Sequence, residues 1–236
     1  PPAPRTRRST SFRNLSRPAA VLWDMDGTLI DTEPLWGKAT FELGELLGRP
    51  LTPEVRAKTI GGSFPNTLNV VAEWAGYELR HGDVERYRTW MFDRMRELFA
   101  TGIELNPGIG DVLESLARRG TPMFVCTNTE RVLADPCIDA IGRVFFAGTI
   151  TGDEVAHAKP APDMYLEAAR RVGAAPGECL VVEDSWHGMS AAAAARCAVL
   201  GLAEEVPAGV LKFAADNFVG AGASDVDDWF SAARQA

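Results

Sequence analysis

Short, uninterrupted apolar runs recur along the chain and predict the strands of a buried parallel sheet. Strands covered on both faces are apolar throughout instead of alternating between apolar and polar positions. Four runs fit this pattern, at residues 20–23, 123–126, 144–147 and 179–182. Each is about the length of an ordinary strand.

Helical periodicity fills most of the intervals between these runs. Apolar residues recur at helical spacing from Ile109 to Leu116, and Gly120 follows as a stop signal. A second helix is predicted at 164–172, and an alanine-rich one at 190–196. The order of strand, helix and strand predicts an α/β fold, a Rossmann-like parallel sheet with helices on both faces.

One long interval, residues 35–104, departs from this order. Its apolar residues repeat at helical spacing in three places, around Leu43, Val71 and Met91, and no strand is predicted. We therefore predict an all-helical cap domain at 35–104, inserted into a core made of residues 18–34 and 105–236. Residues 1–17 are predicted to be a disordered basic tail.

The charge distribution limits the classes of partner. The formal charge is −8, yet the first nineteen residues carry five arginines and no acid. Without these arginines, 19 basic residues stand against 32 acidic ones, a charge of −13. Such a body repels nucleic acid and anionic membrane, and no apolar run approaches the ~20 residues that span a bilayer. We expect no nucleic acid and no membrane as partner, and a monomer by default.

The four cysteines do not form a metal-binding pattern. None belongs to a CxxC pair, and the three histidines do not complete a zinc site. Free cysteines next to apolar runs behave as small buried hydrophobes. We therefore predict a reduced, cytoplasmic protein.

Polar residues follow the predicted strands where a parallel sheet binds its ligands, beyond the carboxyl ends. They are Asp24, Asp26, Thr127, Asn128, Glu183 and Asp184, joined by Lys159 from a nearby loop. Clustered carboxylates repel one another and need a cation, and hard oxygen ligands favour Mg²⁺. A site of this kind, with Lys159 beside it, offsets the charge of a phosphoryl group.

The same residue types suggest a division of roles. Asp24 is the candidate nucleophile at phosphorus, and Asp26 is the candidate acid and base. Thr127 is placed to donate a hydrogen bond to a phosphoryl oxygen. These assignments predict a phosphatase that works through an aspartyl-phosphate, with a small phosphorylated metabolite as its partner.

Four motifs resemble those of the haloacid dehalogenase superfamily, in the order typical of that family. They are Asp24-Met25-Asp26-Gly27-Thr28-Leu29-Ile30-Asp31-Thr32-Glu33, Thr127-Asn128, Lys159-Pro160-Ala161-Pro162-Asp163 and Glu183-Asp184-Ser185, the last followed by Gly188. The match runs from Ala20 to about Gly201 and looks closest to the subgroup of β-phosphoglucomutases and sugar-phosphate phosphatases. The resemblance implies Mg²⁺ on Asp24, the Asp26 carbonyl, Glu183 and Asp184.

Departures from the family's patterns favour hydrolysis over the other chemistries. Asp26 argues against a dehalogenase and a phosphonatase, because both lack the second aspartate of the first motif. A β-phosphoglucomutase-like mutase stays as the alternative. However, Phe64 stands where the mutase loop has an arginine, and Trp36 where the mutase has a histidine.

The cap is expected to determine the substrate. The candidates for substrate contact are Trp36, Gly61, Gly62, Ser63, Phe64 and Asn66 from the cap and Asn128 from the core. Sugar phosphates are the substrates that we expect first, followed by nucleotides and phosphoglycolate. An inactive protein that binds a metabolite or a partner is the alternative from another class.

Two residues near the fourth motif are given structural interpretations. Ser185 is interpreted as a helix cap and His187 as a helix-surface residue.

Overall fold

A six-stranded parallel sheet forms the centre of the molecule in the computed structural model, which describes residues 16–236. The strands are β1 Ala20–Trp23, β2 Met123–Thr127, β3 Gly148–Thr151, β4 Cys179–Glu183, β5 Ala198–Gly201 and β6 Leu211–Lys212. Their order across the sheet is β3-β2-β1-β4-β5-β6, and every neighbouring pair is parallel. The predicted α/β class is confirmed.

The central strands are buried along their whole length. All residues of β1, β2, β4 and β5 are shielded from solvent, which explains their uninterrupted apolar sequence. Strand β1 lies between β2 and β4, with Val21 opposite Met123 on one side and Leu180 on the other. This position places the end of β1 at the middle of the carboxyl edge.

Helices cover both faces of the sheet. They are α1 Glu33–Leu46, α2 Pro53–Ala57, α3 Phe64–Ala75, α4 Asp83–Phe99, α5 Ile109–Arg119, α6 Arg131–Ile141, α7 Asp163–Val172, α8 Trp186–Ala194 and α9 Ala223–Ala233. Alternate residues of β1 divide between two cores. Val21 and Trp23 pack in the core that includes α5 and α9, and Ala20 and Leu22 in the one that includes α7 and α8. The prediction of helices on both faces is confirmed.

The interval after β1 is helical, as its periodicity indicates. It holds α1 to α4, and the described residues 35–104 contain no strand. The apolar faces of these helices, with Leu43, Val71 and Met91 fully buried, join the core of the α5 and α9 side. The boundaries proposed for a separate cap domain stay a prediction, and α1 begins at Glu33, just before the first of them.

The prediction of a strand at 144–147 is wrong. Residues Arg143–Phe145 form a short 3₁₀ helix with Val144 91% exposed, and the strand follows at Gly148–Thr151. Phe145 and Phe146 pack against the core from this turn, so their apolar character reflects burial without strand pairing. Gly148 opens β3 because a side chain there would overlap the ring of Phe124 on β2.

The predicted N-terminal tail is tested only in part. Of the predicted basic tail, residues 1–15 lie outside the described residues, and Arg17 forms an exposed ion pair with Asp227. The strands β5 and β6 and the helices α6 and α9 were not predicted. Among the described residues, no helix combines the length and apolarity that a membrane crossing requires.

Candidate active site

Carboxylates from two neighbouring strands meet at the centre of the sheet's carboxyl edge. Asp24 follows β1 directly, Glu183 is the last residue of β4, and Asp184 follows it. One oxygen from each of the three lies within 4.8 Å of the others. Asp24 and Glu183 are buried and Asp184 is partly exposed, so the group opens toward solvent on one side.

Lys159 inserts its ammonium group beneath this carboxylate group. Its Nζ donates to Asp24 Oδ1 at 2.7 Å, to Glu183 Oε1 at 2.5 Å and to the carbonyl of Cys126 at 2.7 Å. All three hydrogens of the ammonium are therefore used inside the protein. The neighbouring carboxylates raise the pKa of Lys159 against the opposing effect of burial, so the side chain stays charged.

Glu183 is fully enclosed and held from several sides. Besides Lys159, it accepts hydrogen bonds from the hydroxyls of Tyr165 and Ser185. Gly188 packs against it so closely that an added Cβ would lie 1.9 Å from the carboxyl carbon. A glycine is therefore required at 188, in the first turn of α8. The carboxylate keeps one orientation, aimed at Asp24.

The site carries more negative charge than its own cation offsets. Three carboxylates face one ammonium group. Burial, followed by repulsion from Glu183, raises the pKa of Asp24 to about 8, and the pKa of Asp184 is also raised, mainly by burial. A cation would offset this excess of negative charge, and hard carboxylate oxygens suit Mg²⁺.

Asp26 faces away from the carboxylate group and toward the helices that follow β1. Its Oδ1 accepts from the Thr32 hydroxyl at 2.6 Å and from the Trp36 indole N–H at 2.9 Å. Its Oδ2 accepts from Thr129 at 2.8 Å and more weakly from Thr127 at 3.4 Å. These donors fix the carboxyl group of Asp26 at the floor of a cavity.

This cavity separates the sheet edge from α1, α3 and α4. Asp24, Asp26, Thr127 and Asn128 form its floor. Of the residues predicted to contact the substrate, Trp36, Gly61, Gly62 and Phe64 also line it. Ser63 and Asn66 do not line it. The side chain of Ser63 caps α3 by accepting from the backbone N–H of Asn66, and the side chain of Asn66 donates to the Lys58 carbonyl.

The loop at residues 60–62 is fastened to the core at three points. Asn128 donates to the Gly61 carbonyl at 2.9 Å and also bonds the backbone of Lys159. Ser185 lies against Gly61, and an added Cβ at Gly61 would sit 2.2 Å from its hydroxyl oxygen. His187 Nδ1 lies 3.0 Å from the Ile60 carbonyl, so His187 joins the two parts instead of standing free on the helix surface.

Ser185 and the cysteines agree with their sequence interpretations. Ser185 is the N-cap of α8, where its hydroxyl accepts from the backbone N–H of Gly188 at 3.0 Å. The four cysteines are buried and free.

Several residues of the site carry no motif signal. They are Arg56, Thr129, Glu130 and Tyr165, together with Met91 and Phe92 in the cavity wall. Thr32 lies within the stretch that resembles the first motif, and Thr129 is close in sequence to the second, a signal that could have found both. Arg56 and Tyr165 are brought in by contacts over long sequence separations, with Glu33 and Glu183 respectively.

Known proteins resemble this chain over most of its length. Residues 18–196 match the family model of the haloacid dehalogenase-like hydrolases. The fructose-1-phosphate phosphatase of Escherichia coli strain K12 is 32% identical over 180 residues, which cover 76% of this chain and 93% of that protein. The phosphoglycolate phosphatase of the same strain is 31% identical over 201 residues, covering 77% and 80%.

A solved structure agrees with this assignment. CbbY from Rhodobacter sphaeroides in complex with phosphate superimposes with a TM-score of 0.74 and 27% sequence identity, over 89% of this chain and 99% of that one. The family model covers well over half of the chain and begins just before β1, so it includes all four motifs around the carboxylate group. This chain therefore belongs to the haloacid dehalogenase-like hydrolases.

Proposed function

We propose that this chain is a Mg²⁺-dependent phosphatase that hydrolyses small phosphate monoesters, with sugar phosphates as its substrates. The observation that carries the proposal is the buried group of Asp24, Glu183 and Asp184 with Lys159 inserted beneath it. The two relatives named as phosphatases support the reaction, and the phosphate bound to CbbY supports the kind of ligand.

The residues present fit a magnesium ion. The carboxylates of Asp24, Glu183 and Asp184 and the backbone carbonyl of Asp26 would hold it, all of them hard oxygen ligands. When bound, the ion supplies positive charge that orients the phosphoryl group and offsets the charge developing on it. Burial, followed by repulsion from Glu183, raises the pKa of Asp24, and a bound cation would oppose both effects.

Asp24 is the proposed nucleophile. Lys159 holds Oδ1 of Asp24, so that rotation of the carboxylate is restricted and its other oxygen is available for attack. Attack at phosphorus forms an aspartyl-phosphate, and the bond to the leaving oxygen breaks. Thr127 and Asn128, on the cavity floor, are the proposed contacts of the phosphoryl oxygens.

Asp26 is the proposed acid and base. It lines the cavity next to Asp24, where the leaving group must lie. In its protonated form it gives a proton to the leaving oxygen, and as a carboxylate it later takes one from the water that attacks the aspartyl-phosphate. The hydroxyls of Thr32 and Thr129 can donate or accept, so they accommodate both protonation states.

A mutase remains the alternative within the family. It requires a second phosphate site opposite Asp24, and Phe64, which lines this cavity and packs edge-on against Phe92, stands where an arginine would supply one. We therefore expect turnover without a bisphosphate activator. A strict requirement for glucose 1,6-bisphosphate would assign the chain to the mutases instead.

Phosphate release from fructose 1-phosphate and p-nitrophenyl phosphate, with Mg²⁺ and with EDTA, tests the proposal. We expect metal-dependent turnover, and a loss of at least ~10³-fold in kcat for Asp24→Asn, because the nucleophile is removed. Asp139→Asn, which changes an exposed aspartate paired with Arg143, is the matched control and should keep full activity.

The outcomes separate the alternatives. An intact-mass measurement after rapid acid quench should find a phosphoryl group on the parent protein, which carries no substitution, and none on the Asp24→Asn variant. Full activity of Asp24→Asn would remove Asp24 from its role. If no metal-dependent phosphate release occurs with any phosphate monoester, the inactive binding protein becomes the better interpretation.

A further inference from the structure

The cavity above Asp24 is lined by more acids than bases. Glu33 and Glu130 stand in its wall, in addition to Asp24 and Asp26 on the floor. Among the described residues that line it, Arg56 is the single cationic side chain. A second anionic group on the substrate would therefore have to form an ion pair with Arg56 or remain without a cationic partner in the cavity.

Arg56 is not free to bind an anion. Its Nη2 donates to Glu33 Oε2 at 2.8 Å, and its Nη1 donates to Thr59 Oγ1 at 2.9 Å. The hydroxyl of Thr59 in turn donates to the Arg56 carbonyl at 2.7 Å. Arg56 is only 8% exposed, so the pair with Glu33 is largely shielded from water. A substrate anion that took Arg56 would leave the partly buried carboxylate of Glu33 without its partner.

Glu130 is similarly neutralised from outside the cavity. Arg88 on α4 holds both of its carboxylate oxygens. The wall therefore presents hydrogen-bonding groups whose charges are already balanced, together with the aromatic rings of Trp36, Phe64 and Phe92. Balanced polar groups beside aromatic faces suit a molecule with hydroxyls and C–H faces and no charge of its own.

We propose that the phosphorylated substrate has an uncharged, polyhydroxylated leaving group, and that the Glu33–Arg56 ion pair is the specificity determinant that rejects a second anion. This inference rests on the proposed phosphatase function and narrows its substrate class. It excludes carboxylate-bearing phosphates such as phosphoglycolate, and it excludes bisphosphates.

A matched pair of substrates tests the inference on the intact protein. Sorbitol 6-phosphate and 6-phosphogluconate are open six-carbon chains that differ at the far end, a hydroxymethyl group against a carboxylate. With p-nitrophenyl phosphate as the reference for catalysis, we expect kcat/KM to favour sorbitol 6-phosphate by ~10-fold or more, because an unpaired buried charge is strongly discriminated against.

Glu33→Gln should release Arg56 and lower this preference by about tenfold, as expected for a newly available charge pair. Glu42→Gln is the control, since it makes the same change of charge and releases Arg94, a pair that does not line the cavity, and it should change the preference much less. The double variant Glu33→Gln with Arg56→Gln should restore the preference for sorbitol 6-phosphate. This result would show that the improved turnover of 6-phosphogluconate depends on the guanidinium of Arg56.

The possible failures are distinguishable. If p-nitrophenyl phosphate is hydrolysed but the unmodified protein cleaves both six-carbon substrates equally well, the inference is overturned and the phosphatase function stands. The same follows if Glu33→Gln and Glu42→Gln shift the preference equally. If Glu33→Gln does not fold, the ratio of kcat/KM for sorbitol 6-phosphate and 6-phosphogluconate, measured on the parent protein, decides whether the inference stands. The absence of all metal-dependent turnover overturns both proposals.

Discussion

The ammonium nitrogen of Lys159 lies 2.7 Å from Oδ1 of Asp24, and both side chains are buried at the carboxyl edge of the sheet. The same ammonium group also holds Glu183. It is therefore the internal cation for two carboxylates that would otherwise repel each other across the site. Breaking a buried pair is costly, since it leaves the remaining charges unpaired.

Lys159→Met should therefore abolish turnover and destabilise the metal-free protein by about 3 kcal/mol. Urea denaturation in EDTA measures the free energy of unfolding. Lys212→Met is the control: Lys212 pairs with Glu204 at 2.8 Å on the surface, and such pairs contribute about 0–1 kcal/mol. Equal losses of stability in the two variants would contradict the structural role of Lys159.

The indole of Trp36 gives the second prediction. Its N–H donates to Asp26 at 2.9 Å, while its ring packs edge-on against Phe99. Trp36→Phe keeps most of the ring and removes the hydrogen bond to Asp26. Since hydrogen bonds to charged groups contribute about 1.5–3 kcal/mol, we expect kcat to fall by roughly ten- to a hundredfold.

A second tryptophan provides the control for this effect. Trp74 donates its indole N–H to the Pro50 carbonyl at 3.0 Å, and it does not line the cavity. Trp74→Phe should therefore leave kcat unchanged and affect stability alone. If Trp36→Phe changes KM and leaves kcat as it was, Trp36 acts as a substrate contact and does not position Asp26.

The fold was largely predictable because its strongest signals are local. The runs at β1, β2 and β4 are buried on both faces, and no other structure suits them as well. The apolar run at residues 144–147 predicts a strand that is not formed, because Phe145 and Phe146 pack against the core from a turn. The short strand β6 has two residues, Leu211 and Lys212, and carries too little pattern to detect.

The candidate site was predictable in its floor and much less in its walls. Asp24, Lys159 and Glu183 are recognisable because each lies in a motif at the end of a strand or in its loop. Arg56 and Tyr165 gain their positions through tertiary packing, which a single sequence does not reveal. Ser63 was assigned to the cavity from its place in a loop motif, and it caps α3 instead.

Gly61 provides the third prediction, on the contact between the helical insertion and the core. It has a φ of +69°, and an added Cβ would overlap Ser185, next to the carboxylate group. Gly61→Ala should therefore displace the loop at 60–62, raise KM and lower kcat together, by about tenfold in kcat/KM, as expected when a closing segment is misplaced.

Gly76→Ala is the matched control for backbone strain. Gly76 ends α3 with a similar φ of +64°, yet an added Cβ meets nothing within 4 Å. This variant should lose about 1 kcal/mol of stability with unchanged kinetics. Steady-state kinetics with p-nitrophenyl phosphate compares the two, and equal kinetics in both variants would show that the contact with Ser185 does not matter.

The last prediction concerns pH and magnesium. Burial and the neighbouring Glu183 raise the pKa of Asp24 to about 8 in the metal-free protein, whereas an unfolded aspartate titrates near 3.8. Between these values the folded protein binds more protons than the unfolded chain, so the contribution of Asp24 to stability falls as pH rises toward 8. The pKa of Lys159 is also raised, but this lysine is protonated in both states up to pH 9 and contributes no slope there.

Magnesium must displace the proton from Asp24, so its stabilising effect should increase with pH. Thermal unfolding in EDTA and in millimolar Mg²⁺, at pH 6 and at pH 8.5, measures this. We expect a larger rise of Tm on adding Mg²⁺ at pH 8.5, where each kcal/mol corresponds to about 2–4 °C for a chain of this size. Burial, followed by repulsion from Asp24, also raises the pKa of Asp184, which contributes to the pH dependence in the same direction. Asp24→Asn should therefore weaken the pH dependence of the Mg²⁺ effect without abolishing it. An equal Mg²⁺ effect at both pH values would mean that Asp24 and Asp184 are already ionised in the metal-free protein.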